Sequence, residues 1–391
     1  MRSLLLVAAA GFTATTARAG LWNSAYYAGW MQDRMPAEQV DFTAMTHVIH
    51  FAVVPRADGT LDSATNVVSL SNSADLLARA HAAGVKVLIG VGGENSAAGF
   101  RGATSDANRP SFITNLVNFV RSRGYDGVDL DWEPLEATDT HQFTRLVVDL
   151  RGALSSVAPG APNPLLLTTA AVSQPDMFAM LQSDFDQINL MTYAFSGPWP
   201  GWRTWYNSPI YDGGNRFPAT AQPAPSVDGM VNDFLSHGVA AGKLGIGICF
   251  YGCVWSGGGG MSTGGAALPW QSWSSPPTMT TLAYAEIMSR YYQPQRYFWD
   301  TNAQSAYLSI NSSGSANDKS QKDSRLLSEF ISFDDPAACR AKVAYARHKG
   351  LGGVIIWELG GGYRSDQPLG QRDLLLQSVK QAIVAPDMPR Q

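Results

Sequence analysis

Three carboxylates, Asp129, Asp131 and Glu133, alternate with Leu130 and Trp132 in the run Gly127-Val128-Asp129-Leu130-Asp131-Trp132-Glu133. In an extended chain, residues two apart share a face and stand about 6.6 Å from one another, so the three acids form one row. Solvated acids have no need of a face set between Val128, Leu130 and Trp132, which places the row inside a folded domain. Crowding and desolvation there raise at least one pKa and leave a protonated carboxyl near neutral pH, ready to act as a general acid. Glu133 is the outermost of the three and best placed to reach a substrate. A metal site is the competing chemistry, but no His accompanies the row, and an oxygen-only cage needs more ligands than one strand supplies. No metal or cofactor is called for.

The surrounding chain predicts what holds the row. Short β-rich runs recur at 25–30, 47–54, 85–91, 127–132, 165–171, 187–193, 244–251 and 353–357, with amphipathic stretches such as 73–83, 109–123, 141–156 and 336–349 between them. The last stretch stops at Gly350, a common helix-ending residue. Eight strand-helix units predict an α/β fold, a closed (β/α)8 TIM barrel. An open doubly wound sheet is the alternative, but its Gly-rich turn after the first strand is missing. On the fourth strand of a barrel, the row faces the interior at the C-terminal mouth, where this fold carries its active sites. The alternation breaks at Gly257 to Gly260, which begin a stretch rich in Ser, Thr, Trp and Tyr. That stretch is too long for a loop and predicts a small α+β insertion, 254–330, between strand 7 and helix 7, leaving 20–253 and 331–391 for the barrel.

Composition narrows the function classes. Of 391 residues, 45% are hydrophobic and 15% charged, and the net charge is −4, so no basic field gathers nucleic-acid phosphates. Charge-driven disorder is excluded as well. Past the N-terminus, no stretch approaches the roughly 20 apolar residues of a membrane span. Arg2, the apolar run from Leu4 to Phe12 and Ala17-Arg18-Ala19 form the pattern of an export signal, 1–19, cleaved between Ala19 and Gly20. The mature protein is expected to be secreted and monomeric. Cys249, Cys253 and Cys339 are too few for a disulfide framework and are expected as small buried hydrophobes, with a bridge to Cys339 as the alternative.

The sequence resembles the family 18 glycoside hydrolases, the chitinase family, whose fourth-strand signature DxxDxDxE is matched by Asp126, Asp129, Asp131 and Glu133. The resemblance continues through Tyr26-Tyr27-Ala28-Gly29-Trp30, Val87 to Gly93, Met191-Thr192-Tyr193 and Gly353 to Glu358, and through Phe333-Asp334-Asp335-Pro336 at the close of an insertion like that of one branch of the family. It implies hydrolysis of β-1,4 links between N-acetylglucosamine units, with chitin or chitooligosaccharides as the partner. The implied mechanism is retaining, with the substrate's own acetamido group as nucleophile. Glu133 would be the acid/base, Asp131 would bind the acetamido nitrogen, Asp129 would share a proton with Asp131, and Tyr193 would steady the acetamido oxygen. Trp357 would floor the sugar with its ring, and Met191 and Tyr26 would wall the pocket. Trp30, Trp199, Trp202, Trp205 and Trp255 would pave flanking subsites. Two further functions stay open: a non-catalytic chitin-binding lectin on the same barrel, which loss of the glutamate would produce, and an endo-β-N-acetylglucosaminidase acting on N-glycans. The sequence departs from the family at Gly90, where Ser is usual, at Ala194, where an acid commonly follows the tyrosine, and at Cys249 and Cys253, where Pro and Arg are common.

Overall fold

Eight parallel strands close on themselves in the computed structural model, which describes residues 20–157, 164–311 and 327–385. They are β1 (Trp22–Ala28), β2 (His47–Pro55), β3 (Lys86–Gly93), β4 (Gly127–Trp132), β5 (Leu166–Ala171), β6 (Gln187–Leu190), β7 (Leu244–Cys249) and β8 (Gly353–Trp357). β1 pairs with both β8 and β2, so the barrel has no free edge. Outward residues such as Val87, Ile89, Val128, Leu130, Ile188 and Leu190 pack into the main core with the surrounding helices, while Tyr26, Ile49, Phe51, Leu88 and Ile355 fill the interior. Burial on both faces is why these strands are nearly continuous apolar runs. The helices Leu70–Ala82, Val227–Ser236 and Pro336–Lys349 start on Ser69, Ser226 and Asp335, each accepting the backbone N–H three residues on, which satisfies a donor the helix leaves open.

The units are less uniform than the alternation predicts. Between β1 and β2 the chain makes three 3-10 turns, Gly29–Met31, Ala37–Gln39 and Phe42–Ala44, in place of an α-helix. Pro36 sits in the middle of that segment and disfavours helical backbone at the residue before it. β6 stops at Leu190, three residues short of the predicted 187–193. Beyond it the Thr192 side chain takes over the pairing with β7: Oγ1 donates to Gly247 O at 3.2 Å and accepts from Gly247 N at 2.8 Å. Met191 N still donates to Ala171 O on β5 at 2.9 Å, while Thr192 N turns back to Leu190 O at 2.9 Å, so the backbone leaves the ladder at 192.

β7 likewise ends at Cys249, and Tyr251–Ser256 opens a five-stranded antiparallel sheet with Thr278–Ala283, Tyr297–Asp300, Ser305–Ile310 and Glu329–Phe333. The sheet therefore extends about three residues past each end of the predicted 254–330. Trp205, Tyr206, Trp255 and Phe330 form a separate buried cluster beside it. Where chain returns to barrel, Lys342 Nζ lies 2.5 Å from Asp334 Oδ2 and also donates to Ser208 Oγ and Gly247 O, all buried. The three cysteines are buried and unbridged. No described helix is long and apolar enough to cross a membrane. The predicted export signal, 1–19, lies outside the described residues.

Candidate active site

Asp129 and Asp131 point into the barrel and are 0% and 3% exposed, while Glu133, just past the end of β4, is partly buried at the mouth. Asp129 lies in register with Gly90 on β3 and Thr168 on β5, and Asp131 with Gly92. Both glycines are needed for that closeness. A Cβ on Gly92, whose φ is +110°, would come 2.1 Å from Asp131 O, and one on Gly90 would come 2.8 Å from Phe51 Cδ2. The ring of Phe51 thus crowds the place where a hydroxyl-bearing side chain at 90 would stand.

Both oxygens of Asp129 accept a hydrogen bond from a hydroxyl: Tyr26 Oη donates to Oδ2 at 3.0 Å and Thr168 Oγ1 to Oδ1 at 2.5 Å. Burial pushes Asp129 up to about 6, and these two donors oppose the rise. Asp131 is held well above the usual carboxylate range, by burial first and then by the charges of Glu133 and Asp129. Asp131 and Glu133 are close enough to interact through a hydrogen bond, and Asp131 Oδ1 is buried with no hydrogen-bond partner among the described residues. Burial also raises Glu133, with the bond from Asp131 pulling it down and the charge of Glu94 pushing it up. Both shifts favour the protonated form, Asp131 the more strongly, on the side of the row that faces Glu133. Tyr26 and Thr168 each take one acceptor position on Asp129, and each of its oxygens keeps a second lone pair.

The end of β4 is pinned in place: Glu133 N donates to Ser96 Oγ at 3.2 Å and Ala97 N to Glu133 O at 3.0 Å. Asp126 lies at the opposite end of β4, where it accepts from Val87 N and Lys86 Nζ and contacts His81. It fastens β4 to β3 and does not enter the pocket.

The aromatic residues divide. Trp357 is partly buried at the mouth, packed edge-on against Phe51 at 4.8 Å and Tyr26 at 5.2 Å between ring centroids. Trp30 and Trp199 are 46% and 47% exposed, and Trp202 packs against Trp199. Trp205 and Trp255, predicted to pave subsites, are instead core: they are 1% and 0% exposed, and each spends its indole N–H on a backbone carbonyl. Tyr26, predicted as pocket wall, is 1% exposed and sits beneath the carboxyl row. Tyr193 is partly buried, with its ring against Gly247 and edge-on to Tyr251. Met191 lines a cavity of about 180 Å³ next to Glu133, with Trp132, Leu135, Ala170 and Val172. A second cavity, also about 180 Å³, lies between Trp30, Trp357, Tyr251 and Thr281 and includes Glu358, whose burial pushes it up to about 7. Among the described residues, no group of three His, Cys, Asp or Glu is arranged to hold a metal ion.

Three carboxyls gathered at the mouth of a parallel barrel, two of them buried, stand where this fold carries its active sites. The family model for glycosyl hydrolases family 18 matches residues 23–362. The chain belongs to that family. Chitinase 1 of Aphanocladium album is 28% identical over 369 residues, covering 87% of this chain and 81% of that protein. The probable endochitinase of Caenorhabditis elegans is 30% identical over 296 residues, 70% of this chain, which spans only 43% of that longer relative. Among solved structures, the Ostrinia furnacalis Group IV chitinase in complex with allosamidin matches with a TM-score of 0.75 and 21% identity, over 93% of this chain and 98% of that one. At that identity the likeness is one of fold.

Two residues of this family 18 site were not singled out by sequence reasoning. Thr168 lies at an inward position of β5 directly beside Asp129; a polar residue among the apolar ones of a buried strand was the available signal. Phe51 gave none, since an inward Phe in a barrel reads as packing.

Proposed function

We propose that this protein is a chitinase that cleaves β-1,4 links between N-acetylglucosamine units by a retaining, substrate-assisted mechanism, with Glu133 as acid/base. The observation that carries the reading is the adjacency of Asp131 and Glu133 at the mouth of the barrel, where burial raises both carboxyls and favours one proton shared between them. When the acetamido N–H of a sugar donates to Asp131, that carboxyl becomes an acceptor and its proton passes to Glu133. Glu133 protonates the glycosidic oxygen as the C1–O bond breaks, and the acetamido oxygen bonds to C1 to give an oxazolinium ion. Glu133, now a carboxylate, takes a proton from the water that opens this ion, which regenerates the acid and leaves the β-anomer. Asp129 remains an anion whose charge favours the cationic intermediate. Tyr193 donates to the acetamido oxygen, and Trp357 floors the sugar with its face.

The presence of Glu133 speaks against a lectin. The exposed Trp30 and Trp199 favour a chain of several sugars over a short glycan core. The export pattern at 1–19 supports a secreted enzyme meeting an extracellular polymer. The test is Glu133→Gln on chitooligosaccharides, with fresh products followed by proton NMR. We expect at least about a 100-fold loss of turnover with binding retained, and the β-anomer as first product of the unaltered enzyme. Near-normal turnover in the variant, or mainly α-anomer, overturns the reading.

A further inference from the structure

Glu94 is the first residue past β3, and strand register places it beside the acid. Gly92 pairs with Asp131 and Gly93 with Trp132, so the next step along the two strands sets Glu94 next to Glu133. The chain turns at that point. Ser96 N donates to Gly93 O at 3.1 Å, and Asn95 at the tip has a φ of +66°, a left-handed conformation that Asn takes more readily than most residues. Ser96 then fastens the turn to β4: its Oγ accepts from Glu133 N at 3.2 Å and donates to Asp131 O at 3.3 Å. Glu94 and Glu133 therefore project from backbone that is tied together.

The Glu94 side chain is exposed and, among the described residues, has neither a hydrogen bond nor an ion pair. Other charged groups near the mouth are already paired. Arg101 holds Asp139 and Glu136, each at 2.7 Å, and Glu358 accepts from Gly360 N at 2.9 Å. The charge of Glu94 reaches Glu133, so an unpaired carboxylate stands beside the place where the glycosidic oxygen is protonated. The aromatic floor decides which sugar meets it. Trp30 lies 6.5 Å from Trp357 between ring centroids, so a chain whose reacting sugar rests on Trp357 runs back over Trp30. Tyr193 takes the acetamido group from the β6 side. The leaving sugar extends the other way, past Glu133 toward the end of β3.

We propose that Glu94 is a specificity residue that binds the ammonium group of a deacetylated leaving sugar, which makes partially deacetylated chitin the substrate class of this site. This rests on the reading of Glu133 as the acid. The reacting sugar needs its N-acetyl group, because that group supplies the nucleophile. The leaving sugar does not, since its C2 nitrogen takes no part in making or breaking a bond. A glucosamine in that place carries a protonated amine, and Glu94 meets it with a carboxylate that has no side-chain cation to give up.

The experiment digests a pool of partially deacetylated chitin oligomers with the full chain, with Glu94→Gln and with Glu94→Lys, and sequences the product ends by mass spectrometry. The readout is how often glucosamine stands at a newly made non-reducing end, relative to its frequency in the pool. We expect an enrichment of about 2- to 5-fold for the unaltered enzyme, the discrimination that one exposed ion pair supplies. Glu94→Gln keeps the shape without the charge and should return the ends to the pool average. Glu94→Lys repels the ammonium and should take them below it. Adding salt to about 1 M shortens the Debye length to about 3 Å and should weaken the enrichment in the unaltered enzyme. The same end composition from all three proteins, or no enrichment in the unaltered one, overturns the proposal, because a change in packing alone alters rate without sorting ends by charge. Glu133→Gln runs alongside: if it remains active, the reading of the acid has failed; if it is inactive and the ends do not respond to position 94, only the role of Glu94 has.

Discussion

Gly247 and the ring of Tyr193 are in direct contact, so close that a Cβ at 247 would come 2.5 Å from Tyr193 Cε1. The glycine is what lets β7 pass under the tyrosine proposed to steady the acetamido oxygen. Gly247→Ala should push the ring out of place, costing about 1–3 kcal/mol of stability as an overpacked core site. Turnover should fall about 100-fold, the loss expected when a donor to a developing charge is removed. Tyr193→Phe removes the same donor by another route, so the double variant should be no slower than the worse single one. Full turnover in folded Gly247→Ala would show that the ring does not need its present place.

The raised pKa of Asp129 predicts a pH-dependent stability. Below the ordinary carboxylate value, folded and unfolded chains both hold the proton, and burial has no titration consequence. As pH rises toward 6, the unfolded chain releases the proton and the folded chain retains it; above about 6 the folded chain holds a buried anion and the penalty levels off. A two-unit rise corresponds to about 3 kcal/mol of destabilisation at neutral pH. Asp129→Asn removes this titration. Its stability relative to the unaltered protein, from urea unfolding, should therefore improve between pH 4 and pH 7 by about that amount and then stay level. A difference that is flat over pH 4–7 would mean that Asp129 ionises normally in the folded state.

The Lys342–Asp334 pair ties the helix Pro336–Lys349 to the end of β7, where Asp334 Oδ2 also accepts from Cys249 N at 3.0 Å. Breaking one side of a buried pair strands the other charge, typically at 3–5 kcal/mol. Lys342→Met should lower the unfolding free energy by about that much, and adding Asp334→Asn should recover part of it. A single variant within about 1 kcal/mol of the parent in urea unfolding would argue that water already reaches Asp334.

The carboxyl row was legible because acids spaced at period 2 along a buried strand cannot be there for solubility, and the eight-strand count followed from apolar runs that both faces of the barrel require. The end of β6 was not. Thr192 replaces a ladder bond with a side-chain one, and Leu190 to Tyr193, where the strand ends, shows no Gly, Pro, Asn, Asp or Ser to mark the change. The two tryptophans mistaken for subsites, Trp205 and Trp255, failed for a similar reason. Clustering marks a Trp as packed against something, but only burial and the destination of the indole N–H distinguish core from cleft. The hydroxyl donors on Asp129 were also out of reach, since Thr168 arrives beside it from β5 and strand-to-strand register is a long-range property.

Ala194 offers a test of coupling to the acid. Its φ of +56° lies in the left-handed region, which penalises an ordinary side chain by about 1 kcal/mol and which Asn and Asp occupy more readily. The conformation is imposed by the fold, since Ala194 N donates to Asn207 Oδ1 at 3.0 Å. Because β6 ends at Leu190, strand alternation no longer directs residue 194 away from the pocket. Ala194→Asn should therefore raise Tm without adding charge, and Ala194→Asp should raise it similarly while placing an anion near Glu133. An anion raises a carboxyl's pKa, and Glu133 acts as acid only while protonated, so the alkaline limb of kcat against pH should move up in the Asp variant by about half a unit and stay put in the Asn variant. A stabilised Asp variant with an unmoved limb would show that position 194 sets backbone strain alone and leaves the proton on Glu133 untouched.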